Sequence, residues 1–345
     1  MQDFDQRDRE LLHIVQTEIP IASTPFAFIG QMIEMSEKEV IKRVVRLKQV
    51  GVISQIRAIF DSHSLGYQTS LVAARVEEER IEEAAKVIDA HPGVSQNYQR
   101  NHDLNLWFTI SVPSVSSIGL EKTIEILTEE AGCDTYHSLP ALKIYRSTAE
   151  EDDHVQIDDL TEDGADLQVE PLSDDERACI VALQDDLPVQ PRPFDAISRM
   201  SGLSAELLLE TADKFRKASK LKRLAAIVQS TKGSFSATAL GIFAADPARV
   251  DAIAGSVLNR RGISQCSIRP TSNEWPFNLF SVVHGRSVDE CETLLRDVGR
   301  ELEITQLEVI FPVREFKKTR ITLFSPQGDD WEKERRARVE TSAAS

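Results

Sequence analysis

One short segment of the chain gathers side chains that can hold an anion and move a proton. Tyr98, Arg100 and His102 alternate toward a predicted turn, with Asn105 and Trp107 just beyond it. A guanidinium binds a carboxylate through two parallel hydrogen bonds. The phenol and the imidazole can exchange protons, and the indole offers a flat apolar wall. This combination predicts a site for a planar ligand that carries several carboxylates.

A second copy of this segment follows later in the chain. Residues 95–100 and 105–108 correspond to 264–269 and 278–281, at offsets of 169 and 173, and Pro25 matches Pro193 at an offset of 168. An ordered but drifting offset indicates a duplicated module with about four residues inserted, and its period is too long for a solenoid repeat. The second copy adds candidate ligand-binding residues: Gln265, Arg269, Trp275, Asn278 and His284.

Composition places the chain among multi-domain globular proteins. It has 345 residues, of which 41% are hydrophobic, and a net charge of −16, so it can bury more than one core. Much of the negative charge lies in residues 147–172, which hold ten acidic residues and no Lys or Arg. Such a segment lacks the apolar side chains for folding and is predicted to be an acidic linker. Residues 327–345 are predicted to form a tail.

Cysteine usage and hydropathy bound the setting. The four cysteines are widely separated, and none stands at a spacing typical of zinc ligands. The first residues do not resemble a signal peptide, and no apolar run approaches the roughly 18 residues that span a bilayer. The sequence therefore predicts a cytoplasmic protein with no metal site and no membrane partner.

Each module is predicted to contain two domains. Apolar periodicity, a Ser36 N-cap and a strand over 52–60 favour a winged helix-turn-helix over 1–66, repeated over 173–233. A βαββαβ order, ending in a strand over 139–146, favours a ferredoxin-like domain over 67–146, repeated over 234–326. The predicted fold class is α+β, with the two modules packed through their sheets as an internal pseudo-dimer.

The winged helices raise the question of DNA binding. The predicted recognition helix over 37–50 carries five basic and two acidic residues, and its counterpart over 205–220 mixes both signs. Proteins that bind DNA normally present a basic stripe to the phosphates. Since neither module has a basic excess, the sequence disfavours DNA as a partner.

The motifs as a whole resemble one family. His-Pro-Gly-Val-Ser-Gln-Asn-Tyr at 91–98, Arg-Asn-His at 100–102 and Asn-Leu-Trp-Phe-Thr at 105–109 are similar to the signature of the sirohaem decarboxylases. Trp-Pro-Phe-Asn-Leu-Phe at 275–280 and His-Gly-Arg at 284–286 resemble the partner-subunit version, and residues 52–67 resemble the family's wing. The resemblance covers both modules, so the chain looks like two fused subunits with an Lrp/AsnC-like architecture.

The resemblance implies a reaction. Members of the family remove two acetate carboxyl groups from sirohaem to give 12,18-didecarboxysirohaem, for haem d1 synthesis or the alternative haem pathway. The resemblance implies no cofactor beyond the iron tetrapyrrole of the substrate. His102 or Tyr98 would return the proton that replaces carbon dioxide. The candidates for holding substrate carboxylates are Arg57, Arg100, Arg223 and Arg269.

The chain departs from the family pattern at three positions. Gln96, Gln265 and Ser230 stand where the family usually has histidine; glutamine can hydrogen-bond a carboxylate but cannot shuttle a proton near neutral pH. Two alternatives to the enzyme therefore stay open: a tetrapyrrole-binding sensor or carrier, and an Lrp/AsnC-type transcriptional regulator. The sequence also leaves open a further homodimer and contacts with other tetrapyrrole-pathway enzymes.

Overall fold

The computed structural model describes residues 4–146, 171–228 and 237–342. The predicted acidic linker lies almost wholly outside these ranges, as does Ser230. The first copy contains α1 (Gln6–Thr17), α2 (Pro25–Met32), α3 (Glu37–Gln49), β1 (Ile53–Phe60), β2 (Tyr67–Arg75), a short 3-10 helix (Glu78–Arg80), α4 (Ile81–Asp89), β3 (Val94–Arg100), β4 (Leu106–Pro113), α5 (Leu120–Glu130), β5 (Thr135–Pro140) and β6 (Lys143–Arg146).

The second copy repeats this order. It contains α6 (Asp174–Leu183), α7 (Pro193–Ser201), α8 (Ala205–Lys217), β7 (Leu221–Val228), β8 (Ala237–Phe243), α9 (Val250–Leu258), β9 (Ile263–Ile268), β10 (Leu279–Gly285), α10 (Val288–Glu301), β11 (Leu307–Ile310), β12 (Pro312–Lys318) and α11 (Pro326–Ser342). The α+β class and the duplicated plan are confirmed.

The described residues divide into two compact units, each built from both copies. The helical unit comprises 4–65, 171–228 and 322–325, and the sheet unit comprises 66–146, 237–321 and 326–342. Corresponding segments of the two copies therefore fold together: the two helical segments form one unit and the two sheet segments form the other.

In the helical unit, local signals set the helix ends. The Ser36 hydroxyl accepts the N–H of Glu39 at 3.2 Å at the start of α3, and Ser204 does the same for Leu207 at 3.1 Å in α8. Both are N-caps of the kind that polar side chains favour. The Ser36 prediction is confirmed.

The wing strands pair differently from the prediction of one wing in each module. β1 pairs antiparallel with β7, with Ile56 opposite Ala226. A single strand leaves its backbone donors and acceptors open along both edges. Each copy supplies one such strand, and the two strands pair across the copies along one edge of each.

The sheet unit contains two five-stranded sheets that exchange their last strands. The first sheet runs β12-β3-β4-β2-β5 and the second runs β11-β8-β10-β9-β6. The segment predicted as one strand over 139–146 is two strands, because β5 ends at Pro140 and β6 joins the second sheet beside β9. In return, β12 of the second copy pairs with β3 of the first, with Glu315 opposite Tyr98.

Three apolar clusters hold the sheet unit together. α4 and α5 cover one face of the first sheet, and α9 and α10 cover one face of the second. The third cluster joins side chains of both sheets, including Trp107 of β4, Phe280 of β10 and Trp275, which precedes β10. Large buried aromatics contribute most to such an interface, so the predicted packing of the two sheets as an internal pseudo-dimer is confirmed.

None of the helices in the described ranges is long and apolar enough to cross a bilayer. The four cysteines are free thiols. No group of three His, Cys, Asp or Glu side chains within those ranges is arranged to hold a metal ion.

Candidate functional site

A pocket lies between the two sheets of the sheet unit. It contains about 770 Å³ of empty space, part of it open to solvent. Its lining comes from both copies: Thr69, Leu71, Ser95, Gln96, Arg100, Thr109 and Ser111 from the first, and Leu240, Gln265, Ser267, Arg269, Phe280, Val282 and Ile321 from the second.

The lining preserves the duplication. Leu71 and Leu240, Gln96 and Gln265, and Arg100 and Arg269 are each separated by 169 residues. Corresponding strands thus present corresponding side chains to one shared cavity. Four residues that the sequence predicted for a ligand site, the two glutamines and the two arginines, are brought together here.

Arg100, at the end of β3, is the less constrained of the two arginines. Its guanidinium carbon lies 5.3 Å from the ring centre of Tyr98 and 5.8 Å from that of Trp107. Its Nε is buried without a hydrogen-bond partner, and no carboxylate in the described part of the chain pairs with the group. Burial lowers the pKa of Arg100 to about 10, so the side chain is still a cation at neutral pH.

Arg269, its counterpart on the second copy, is tied to the protein. Its Nε donates to the Ser267 hydroxyl at 3.2 Å, and a terminal nitrogen donates to the carbonyl oxygen of Leu139. The guanidinium carbon lies 5.1 Å from the ring centre of Phe280. Burial alone lowers the pKa of Arg269 to about 10, and no described carboxylate neutralises it.

Gln96 and Gln265 stand where the resemblance leads one to expect histidine. Both line the pocket, and neither side chain makes a hydrogen bond to another residue in the described ranges. An amide supplies two donors and an acceptor. Their open hydrogen-bonding capacity suits a ligand that carries carboxylates.

Tyr98 does not line the pocket with its neighbours on β3. Its hydroxyl donates to Oε2 of Glu315, on the exchanged strand β12, at 3.2 Å. Burial, followed by the charge of Glu315, raises the pKa of Tyr98 to about 12. The phenol therefore keeps its proton at neutral pH and directs it toward Glu315.

His102 is also engaged within the protein. Its Nδ1 accepts the N–H of Leu104 at 2.9 Å, which leaves the proton on Nε2, 3.0 Å from Oε2 of Glu308 on β11. The ring lies 5.9 Å and 6.0 Å from Trp107 and Trp275. His102 is not among the described residues that line the pocket, so its catalytic role stays a prediction.

The two tryptophans belong to the aromatic cluster between the sheets. Trp107 is 1% exposed, and its indole N–H donates to the carbonyl oxygen of Leu104. Trp275 is 3% exposed and packs against Trp107, His137 and Phe277, at 6.0, 5.3 and 5.2 Å between ring centres. Both therefore have a packing role, and a role in contacting the ligand stays a prediction.

The duplicated asparagines hold the backbone. Asn278 accepts the N–H of Ala245 at 2.8 Å and donates to the carbonyl oxygen of the same residue at 2.9 Å. Asn105 makes the same two bonds to Val76, at 3.0 and 2.9 Å. This shared duty explains their recurrence without a ligand, and ligand binding by either asparagine stays a prediction.

Replacing Asn278 with Ala should lower the free energy of unfolding by roughly 2 to 3 kcal/mol, because two buried backbone groups of Ala245 lose their partner. Urea denaturation followed by circular dichroism measures this loss. Asn105→Ala is the matched comparison and should cost less, because Asn105 is more exposed. A fully stable N278A protein with weakened ligand binding would assign Asn278 to the ligand instead.

The remaining predicted residues lie elsewhere. The ring nitrogens of His284, on β10, are 3.2 Å from the Thr238 hydroxyl and 3.0 Å from the Ser264 hydroxyl, and burial lowers its pKa. Arg57 on β1 and Arg223 on β7 belong to the helical unit. Their predicted contacts with substrate carboxylates stay predictions.

The sequence did not predict the hydroxyl side chains that line the pocket. They are Thr69, Ser95, Thr109, Ser111 and Ser267. The period of two along β4 places Thr109 and Ser111 on the same face as Trp107, so that signal was available. No comparable signal points to Glu308 or Glu315, since both reach the first copy from strands of the second.

Models of known protein families match both halves of the chain. The model of the AsnC-like ligand binding domain matches residues 64–146 and 233–317. The model of the siroheme decarboxylase NirDL-like HTH domain matches residues 8–53.

Similar proteins span nearly the whole chain. The siroheme decarboxylase of Hydrogenobacter thermophilus is 30% identical over 332 residues, which are 96% of this chain and 98% of that protein. The siroheme decarboxylase NirDL subunit of Paracoccus denitrificans is 28% identical, over 93% of this chain and 98% of that subunit. A solved structure of siroheme decarboxylase NirDL in co-complex with an iron-uroporphyrin III analogue has a TM-score of 0.79 at 29% identity, covering 96% and 99% of the two chains. The chain belongs to the siroheme decarboxylase family.

Proposed function

We propose that this protein decarboxylates sirohaem in the pocket between its two sheets. The observation that carries the proposal is the pair of buried arginines, Arg100 and Arg269, which line one cavity without a carboxylate partner among the described residues. A buried cation without an anion is costly. A ligand that brings its own carboxylates would supply negative charge to this cavity, and sirohaem is such a ligand.

The pocket also suits a flat macrocycle. Leu71, Leu240 and Phe280 give it apolar walls, whereas the glutamines and hydroxyls offer neutral hydrogen bonds. Polar groups placed within an apolar cavity are what orient small ligands. A planar tetrapyrrole with acidic side chains would match both parts of this lining.

The chemistry requires few groups from the protein. In each step the bond between an acetate methylene and its carboxylate breaks, and carbon dioxide leaves. The electron pair delocalises into the substrate's own macrocycle until a proton returns to the methylene carbon and makes a methyl group. Each step therefore consumes one proton and no added oxidant or organic cofactor. The residues of the pocket would bind and orient the substrate and exclude water from it.

We propose that His102 donates the proton that returns to the methylene carbon, with Tyr98 as the second candidate. His102 carries its proton on Nε2, facing Glu308, so it would have to leave that contact to reach a substrate. Tyr98 is the second candidate because its pKa is about 12, and a proton donor works best with a pKa near the ambient pH.

The finer course of the reaction is part of the proposal. Two acetates would be lost to give 12,18-didecarboxysirohaem, the precursor for haem d1 synthesis or the alternative haem pathway. Relatives are named alpha, NirG and NirDL subunits. Here both halves of the pocket come from one chain, so we propose that one chain holds a complete pocket. Assembly into a homodimer, or with other tetrapyrrole-pathway enzymes, would then serve another purpose.

Anaerobic incubation of the purified protein with sirohaem, followed by mass spectrometry of the tetrapyrrole, tests the proposal. We expect the loss of one or two carbon dioxide units. This result would also establish that Gln96 and Gln265 are compatible with turnover. Sirohaem recovered bound but unchanged would favour the sensor or carrier instead. The same assay on His102→Gln tests the proposed proton donor, which is wrong if that variant keeps full activity.

The regulator is disfavoured by the charges of α3. Arg43 is paired with Asp5, Asp8 and Glu39, at 2.8, 2.7 and 2.7 Å. Arg46 is paired with Asp8, and Lys48 lies 2.5 Å from Asp186. Basic side chains neutralised by the protein's own acids contribute little to phosphate binding. This supports the prediction that DNA is not the partner.

A further inference from the structure

The two pocket arginines are not equivalent, although they occupy corresponding positions. Two residues before each of them, and on the same face of the strand, the first copy has Tyr98 and the second has Ser267. This one difference changes what each guanidinium can do. A serine hydroxyl accepts a hydrogen bond, whereas an aromatic ring offers only its face.

On the second copy, two of the five N–H donors of Arg269 are bonded to the protein itself. Ser267 accepts from Nε, and the backbone of Leu139 on β5 accepts from a terminal nitrogen. Because Leu139 belongs to the first copy, Arg269 bridges the two sheets. Its hydrogen bonds make it part of the wall between them.

On the first copy, the contacts of Arg100 leave its donors available. The rings of Tyr98 and Trp107 support the guanidinium through its charge, and its Nε has no acceptor among the described residues. The Tyr98 hydroxyl donates to Glu315 of the exchanged strand β12, and no bond joins it to Arg100 among the described residues. The guanidinium of Arg100 is therefore supported by the two rings and has no hydrogen-bond partner within the described ranges.

We propose that Arg100 is the arginine that binds a carboxylate of the ligand, and that Arg269 is a fixed bridge between the sheets. Tyr98 and Glu315 are positioning residues for Arg100. The inference rests on the proposed site, and it makes that site one-sided: a single charged fork receives one acidic substituent of the tetrapyrrole, and neutral amides and hydroxyls receive the others.

Absorbance titration of the protein with iron-uroporphyrin III, a probe whose binding does not depend on turnover, tests the inference. Arg100→Lys should raise Kd by about 10-fold or more, because lysine cannot form the paired hydrogen bonds of a guanidinium. Arg269→Lys should raise Kd by less than about 3-fold. Arg314→Lys, at an exposed arginine of β12 that pairs with Glu82, controls for the substitution itself. Equal effects at Arg100 and Arg269, or a larger one at Arg269, would overturn the assignment.

A second pair of variants tests the positioning role and does not depend on Arg269→Lys being able to fold. Tyr98→Ser gives the first copy the residue of the second, so Arg100 should turn to the new hydroxyl and bind the probe more weakly. Tyr98→Phe keeps the ring and should bind at least about 5-fold more tightly than Tyr98→Ser. Equal Kd values for these two variants would contradict the role of the ring.

The outcomes for function and for binding can be told apart. Wild-type protein that binds the probe but releases no carbon dioxide from sirohaem would count against decarboxylation alone. An Arg100→Lys variant that binds as tightly as wild type would count against this inference alone. Wild-type protein that does not bind the probe would overturn both the proposed pocket and the inference about Arg100 that rests on it.

Discussion

Replacing Arg100 with Met should give a protein that is more stable than the wild type and nearly inactive. The depressed pKa, about 10 instead of 12.5, corresponds to a burial cost of roughly 3 kcal/mol. The two ring contacts return about 1 to 2 kcal/mol. Methionine fills a similar volume without charge, so the free energy of unfolding should rise by roughly 1 to 2 kcal/mol.

The loss of function in the same variant has a separate cause. A carboxylate that enters the pocket would find no cation at this position, and removing one partner of a buried charged pair costs about 2 to 5 kcal/mol. Carbon dioxide release should fall on the order of 100-fold. Urea denaturation and the mass-spectrometric assay measure the two effects on one preparation. A destabilised R100M protein would indicate that Arg100 supports the fold, and a stable, fully active one would remove it from the site.

Replacing His91 with Asn should remove much of the protein's sensitivity to acid. His91 follows α4 and is 6% exposed, with its Nδ1 accepting the N–H of Gly93 at 3.0 Å and its ring 4.5 Å from that of Trp331 on α11. Burial, followed by the charges of Lys317 and Arg335, lowers its pKa to about 3. Asp89, also close by, has a raised pKa because it is buried.

The sign of the effect follows from proton binding. Below pH 6.5 an unfolded His91 takes up a proton, whereas the folded residue stays neutral down to about pH 3. The unfolded state therefore binds one more proton in this window, and stability falls as the pH falls, by about 1.4 kcal/mol per pH unit. The full loss near pH 3 is roughly 4 kcal/mol, a large share of the 5 to 15 kcal/mol typical of a folded protein.

Urea denaturation between pH 7 and pH 4 measures this dependence. Asparagine can still accept the Gly93 N–H, so the H91N protein should fold with a pH dependence shallower by about one proton. At pH 7 it should be somewhat less stable, because the contact with Trp331 is reduced. His13→Asn, at an exposed position of α1, is the control and should follow the wild-type slope. Parallel curves for wild type and H91N would show that His91 titrates alike in both states.

Much of the local structure followed from the sequence alone. The N-cap at Ser36, the βαββαβ order and the duplicated plan are all read from patterns that act within a few residues or repeat along the chain. The pocket residues Gln96, Gln265, Arg100 and Arg269 were found in the same way. The two copies have the same fold. A polar residue that recurs at corresponding positions of both copies therefore marks either a shared site or a shared structural role.

That last distinction could not be made from the sequence. Asn105 and Asn278 recur as faithfully as the arginines, yet each holds a backbone segment. His102 alternates with Arg100 along the chain, yet it faces Glu308 and the aromatic cluster. Alternation tells which residues share a face of a strand, but it does not tell what that face meets.

What the sequence determined by itself was therefore the family, the elements and the inventory of charged and polar groups in the pocket. The tertiary structure alone decided the exchange of β6 and β12 and, through it, the contact of Glu315 with Tyr98. The physical reason is that strand pairing is non-local: a short edge strand presents the same backbone donors and acceptors to either sheet. Its partner is chosen by the packing of both copies together, and that choice sets Arg100 apart from Arg269.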